Sequence, residues 1–120
     1  MVTRPSGGPD QFGMYRYTWP RGDYVSYQKN GNEIVVDYVK RVGNPPGSAA
    51  QMMAEAIRAG GNARPSVLSA PNILQKGPTS DAVIERLMRQ GAQALGATVA
   101  NVSTGVDPTG KHWIRLSLTY

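Results

Sequence analysis

The stretch Glu33-Ile34-Val35-Val36-Asp37-Tyr38-Val39-Lys40-Arg41-Val42-Gly43-Asn44-Pro45-Pro46-Gly47-Ser48-Ala49 decides how this chain folds. Its first half is rich in β-branched residues and apolar on both faces, which predicts an interior strand covered on each side. Its second half breaks abruptly into a tight loop, because two consecutive prolines between glycines nearly forbid helix. Ser48 then offers an N-cap oxygen with Gln51 in the capping-box position. Ala49, Met52, Met53, Ala56 and Ile57 follow at helical spacing, and Gly60-Gly61 ends the run. A strand, a tight Gly/Pro turn and a helix are therefore expected in direct succession.

Upstream, Met14 to Trp19 alternates, with Tyr15, Tyr17 and Trp19 on one face, and stops at Pro20-Arg21-Gly22-Asp23. Tyr24 to Lys29 is a second strand, joined to the third by Asn30-Gly31, the dipeptide that best supports a two-residue hairpin turn. Residues 1–12 hold prolines, glycines and little to bury, and are expected as a flexible tail or linker before one domain spanning 13–120. Downstream, Pro65 to Ala70 predicts a fourth strand. A second helix is expected to open near Thr79 or Ser80 and to bury Val83, Ile84, Leu87, Met88 and Leu95. Gly91 within it weakens helix propensity by about 1 kcal/mol. A last hairpin, Thr98–Ser103 with Lys111–Tyr120, turns through Asp107-Pro108-Thr109-Gly110. The fold class expected is α/β, in the order β-β-β-α-β-α-β-β, with a mixed, mostly antiparallel sheet.

Composition closes several functional classes. The 120 residues include no cysteine, so disulfides, thiolate metal sites and cysteine nucleophiles are excluded. A single histidine, His112, leaves no two-histidine metal site, and no metal centre is expected. No apolar run approaches membrane-spanning length, so no membrane partner is expected. The formal charge is +5, from 13 Lys+Arg against 8 Asp+Glu, and favours an anionic partner. A cytoplasmic location is expected, or delivery into a cytoplasm as part of a larger secreted protein.

The succession of meander, Gly-Ser turn at a helix start, strand, and helix ending in Leu95-Gly96 resembles the larger, C-terminal part of the GNAT N-acetyltransferase fold, over residues 13 to 119. The resemblance implies that the third strand splays from the strand after the first helix and that an acyl-CoA, acetyl-CoA or another, lies in the split. It implies further that residues 41–49 wrap the pyrophosphate at the helix N-terminus. Helix-terminal N–H groups and dipole do suit an anion, and glycine lets phosphate approach the backbone. On these grounds Tyr38, Val39, Lys40, Arg41, Gly43, Asn44, Gly47, Ser48 and Ala49 are the cofactor-binding candidates. The chain departs from the family in three respects. Pro45 and Pro46 lack amide donors. Ala92, or Leu87 in another register, stands where a tyrosine commonly protonates the leaving thiolate. The family's first strand and two helices have no counterpart.

An acyl transfer to an amine needs a base. Asp37, between Val36 and Tyr38, and Glu33 at the strand's start are the carboxylate candidates; His112, near the last turn, is the third. A different function stays open beside this one. Tyr15, Arg16, Tyr17, Trp19, Arg21, Tyr24, Tyr27 and Lys29 interleave rings with cations, as in modules that bind or cleave RNA. A third possibility is a non-catalytic homo-oligomer, a homodimer for instance, whose last strand pairs with its own copy.

Overall fold

The computed structural model describes residues 5–42, 49–61, 64–73 and 81–120. Its elements are β1 (Ser6–Pro9), β2 (Met14–Thr18), β3 (Tyr24–Asn30), β4 (Glu33–Lys40), α1 (Ala49–Ala59), β5 (Val67–Ile73), α2 (Asp81–Ala94), β6 (Thr98–Val106) and β7 (His112–Thr119). All strands join one seven-stranded sheet in the order β1-β2-β3-β4-β5-β7-β6. Only β4 and β5 run parallel, because α1 is the crossover between them; every other neighbour is antiparallel. The α/β class and the mixed, mostly antiparallel sheet agree with the sequence expectation.

Two elements differ from it. Residues 6–9, expected as part of a tail, form the edge strand β1, with Gly7 opposite Tyr17 and Gly8 opposite Arg16. Gly7 takes φ 147°, and a Cβ there would lie 2.0 Å from the Arg16 carbonyl oxygen. Glycine thus permits an approach that no other side chain would, and β2 gains a partner for its outer edge. On α2, Val83 is 47% exposed rather than buried. The rest of the expected stripe faces inward, Met88 and Leu95 fully and Ile84 and Leu87 in part, and Gly91 and Ala92 are buried with them.

One face of the sheet carries the core. Cross-strand partners place Tyr17, Val25, Val39, Tyr27, Val36, Ile34, Leu68, Leu116, Ala70 and Ile114 on it. Met52, Met53, Ala56 and Ile57 of α1, with Met88 and Ala92 of α2, close over this face. The helices pack tightly because Gly91 presents no side chain: a Cβ there would meet Met53 Sδ at 2.8 Å. Tyr27 locks α1 down, its hydroxyl donating to the Ala56 carbonyl at 2.8 Å. Among the described residues no helix lies on the opposite face, so β4, expected to be covered on both faces, is interior to the sheet but covered by helix on one face, with Asp37, Tyr38 and Lys40 exposed on the other.

Candidate functional site

The feature that sets β4 apart is an interruption on each of its edges. Toward β5 it pairs only as Glu33↔Val67, Ile34↔Leu68 and Val35↔Ser69, although β4 continues to Lys40 and β5 to Ile73. Beyond Val35 the two strands part. Toward β3 the register slips: Tyr27 faces Val36 while Ser26 faces Tyr38, which leaves Asp37 as the extra residue of a β-bulge. A bulge adds local twist and bends its strand, and this one lies just past Val35, where the pairing with β5 ends. The parting of these two strands that the family resemblance implies is thus present, flanked by the bulge in β4 at Asp37 and by an irregularity in β5 between Ala70 and Ile73. In a strand every second backbone N–H turns to the same edge. Part of the main chain of Val36–Lys40 therefore faces the opening.

The carboxylate candidates both lie on the uncovered face, four residues apart on β4. Asp37 is exposed and accepts from the Ser26 hydroxyl at 3.1 Å. Glu33 is engaged twice: Ser69 Oγ donates to its Oε2 at 2.8 Å, and Arg115 Nη2 reaches its Oε1 at 3.3 Å. These contacts join β4, β5 and β7 at the closed end of the split. His112 starts β7 opposite Ile73 and Val106. Strand alternation puts it on the side of Ile114 and Leu116, beneath the helices, so it does not converge with Glu33 or Asp37.

Of the cofactor-binding candidates, Tyr38, Val39 and Lys40 line the far half of β4, and Arg41 follows at the open end. Ala49 is the first residue of α1. Gly43, Asn44, Gly47 and Ser48 lie outside the described residues. Val42, beside them, does not offer its amide to a ligand: that N–H donates to the Asp23 carboxylate, itself 3% exposed. The Val42 carbonyl accepts from Arg21 Nη2 at 3.3 Å. The turn between β2 and β3 therefore anchors the exit of β4. No group of three or more His, Asp or Glu side chains that could hold a metal occurs among the described residues, and no helix there is long and apolar enough to cross a membrane.

A cluster that sequence reading assigned differently occupies the uncovered face beside the bulge. Of the rings that interleave with cations in the sequence, Tyr17, Trp19 and Tyr27 are buried in the core, and Tyr15 stacks on Tyr27 at 5.3 Å beneath the helices. From that set only Arg16 and Tyr24 reach the uncovered face. There they are joined by Tyr38 and Lys40. Arg16 lies 3.9 Å over the Tyr24 ring, Tyr24 and Tyr38 stack at 5.7 Å, and Lys40 Nζ is 5.9 Å from the Tyr24 ring. The signal was the period of two: in each strand the residues flanking a core position belong to the other face.

No protein-family model matches the sequence, and no curated protein does. Among solved structures the chain is similar to an acetyltransferase of Bacillus subtilis in complex with CoA. The identity is 10%, the match covers 89% of this chain and 76% of that one, and the TM-score is 0.45.

Proposed function

We propose that this chain binds an acyl-CoA, acetyl-CoA or another, across the split between β4 and β5 and passes the acyl group to an amine. One observation supports this above others: two parallel neighbours stop pairing after Val35 and Ser69, leaving main-chain donors and acceptors of β4 turned into a wedge. An extended ligand with amide groups can complete such an edge as a strand would. Lys40 and Arg41, at the open end, supply positive charge for its phosphates.

A bound acyl-CoA supplies an activated carbonyl whose C–S bond breaks as the C–N bond to the amine forms. A β4 amide at Tyr38 to Lys40 donates to that carbonyl oxygen and stabilises its developing charge. Asp37 accepts the proton that the attacking nitrogen releases; its carboxylate is exposed on the face from which an amine can enter, since the helices close the other. Glu33 is held by Ser69 and Arg115 and serves to keep the closed end of the wedge together. Helix α2 carries no tyrosine, so the departing sulfur takes its proton from solvent.

Thermal unfolding with a series of acyl-CoA thioesters tests the proposal. Ligand at about 100 times its Kd adds about 2.7 kcal/mol, a rise of several degrees in Tm. Arg41→Glu reduces the rise, and Asp37→Asn removes transfer while keeping it. No rise with any of several CoA thioesters overturns the proposal.

A further inference from the structure

We infer that the uncovered face of β2, β3 and β4 docks single-stranded nucleic acid, on the stack formed by Arg16, Tyr24 and Tyr38. The three side chains come from three adjacent strands and continue one another: guanidinium over ring at 3.9 Å, then ring on ring at 5.7 Å with 29° between planes. Tyr38, at the end of the stack, is 53% exposed, a large ring that the fold leaves in water. A nucleobase extends such a stack without regard to sequence, because every base has a π-face.

Charge at this end of the sheet complements a phosphate backbone. Arg16 and Lys40 flank the rings, Arg41 follows β4, and the Arg21 contact to Val42 brings a fourth cation to the same edge. Of the carboxylates nearby, Glu33 is paired with Arg115, and Asp23 is buried on the Val42 amide, which leaves Asp37, bonded to Ser26. The formal charge of the whole chain, +5, has the same sign. An acidic polypeptide would use the cations but not the rings; a single strand uses both. The two proposals share Lys40 and Arg41 as cations, but the ring stack of Arg16, Tyr24 and Tyr38 serves only the nucleic acid and the β5-side main chain of β4 only the acyl-CoA, so the Tyr38 variants separate them. Either proposal can fail without the other.

The test is fluorescence anisotropy of the full chain with labelled oligouridylate and oligothymidylate of about 12 nucleotides, within the ~4–16 that one such module spans. Binding is expected at low salt and falls as salt rises, the logarithmic slope shrinking by about 0.7 for each of Arg16→Gln and Lys40→Gln. Tyr38→Ala weakens binding roughly 5- to 100-fold, Tyr38→Leu does the same while keeping apolar bulk, and Tyr38→Phe retains it. Arg89→Gln, on the exposed side of α2, leaves affinity unchanged. Absence of binding at low salt overturns the inference. So does an Arg89→Gln effect equal to that of Lys40→Gln, or a Tyr38→Leu variant that binds as well as the parent. Displacement of the oligonucleotide by polyglutamate at matched charge would instead mark the face as a site for acidic polypeptides.

Discussion

Ser69 on β5 donates its hydroxyl hydrogen to Glu33 on β4 at 2.8 Å, and the carboxylate's other oxygen meets Arg115 of β7 at 3.3 Å. Ser69 is also the last β5 residue that pairs with β4. The side-chain contact therefore sits at the point where the two strands begin to separate, and it holds three strands in register there.

Removing that contact should loosen the sheet in a graded way. Ser69→Ala is expected to cost about 1 kcal/mol, the usual net value for a hydrogen bond, and Glu33→Ala somewhat more because Arg115 also loses its partner. Glu33→Gln keeps an acceptor for Ser69 and should cost under ~1 kcal/mol, since the Arg115 pair is largely solvated. Urea unfolding of the three variants gives the order; a Glu33→Gln cost above that of Glu33→Ala would contradict it.

Tyr27 offers a second test, through pH. Burial raises the pKa of its phenol above the ordinary 10.0, with the neighbouring Tyr17 and Tyr15 adding to the shift. The folded state then holds the proton more tightly than the unfolded one. The resulting stability is intact below pH ~10 and is lost progressively as pH climbs through the folded value. Tyr27→Phe should flatten this alkaline decline. At neutral pH it should cost about 1 kcal/mol and not more, because the Ala56 carbonyl keeps its helical bond from Gly60 at 3.2 Å.

Gly91 sets helix propensity against packing. Alanine there gains about 1 kcal/mol of propensity. Its Cβ would stand 2.8 Å from the buried Met53 sulfur, and overpacking of this kind costs about 1–3 kcal/mol. Gly91→Ala is therefore expected to lower Tm in the parent chain and to raise it in a Met53→Ala background. Equal effects in both backgrounds would show that the two residues do not compete for the same space.

Asp107 stabilises the β6–β7 turn by accepting from the Thr109 hydroxyl at 2.6 Å and from the amides of Thr109 and Lys111 at 2.9 and 3.0 Å. These bonds, the Thr109 hydroxyl foremost, lower its pKa from 3.8. The benefit is present above the unfolded pKa and fades as pH falls through the folded one. Asp107→Ala should thus lower Tm at neutral pH, with the gap to the parent closing in strong acid. A gap that persists below pH ~2 would assign the effect to the side chain's shape and not its charge.

The elements were largely legible because their signals are local. A hairpin forms where Asn30-Gly31 predicts one, although its two-residue loop is Gly31-Asn32, with Asn30 paired to Glu33 and Gly31 at φ 60°, and the Met52/Met53/Ala56/Ile57 stripe is the buried side of α1. Ser6–Pro9 was not legible: glycine and proline carry no strand preference, and β1 exists because the outer edge of β2 stands opposite it. Which rings face solvent is not legible either, for a related reason. Tyr17, Trp19 and Tyr27 look alike to Tyr24 and Tyr38 in composition, and only the placement of both helices on one face separates core rings from exposed ones.

By itself the sequence determined the succession of strands and helices, the turn positions, and the absence of cysteine and of a second histidine. All are properties of neighbouring residues or of counting. Tertiary structure alone decided that β4 leaves β5 after Val35, that Asp37 is the bulged residue and accepts from the Ser26 hydroxyl, and that Glu33 is tied to Ser69 and Arg115. A bulge and a split are relations between strands distant in the chain. Their energies come from registers and contacts that form only once the helices have chosen which face of the sheet to cover.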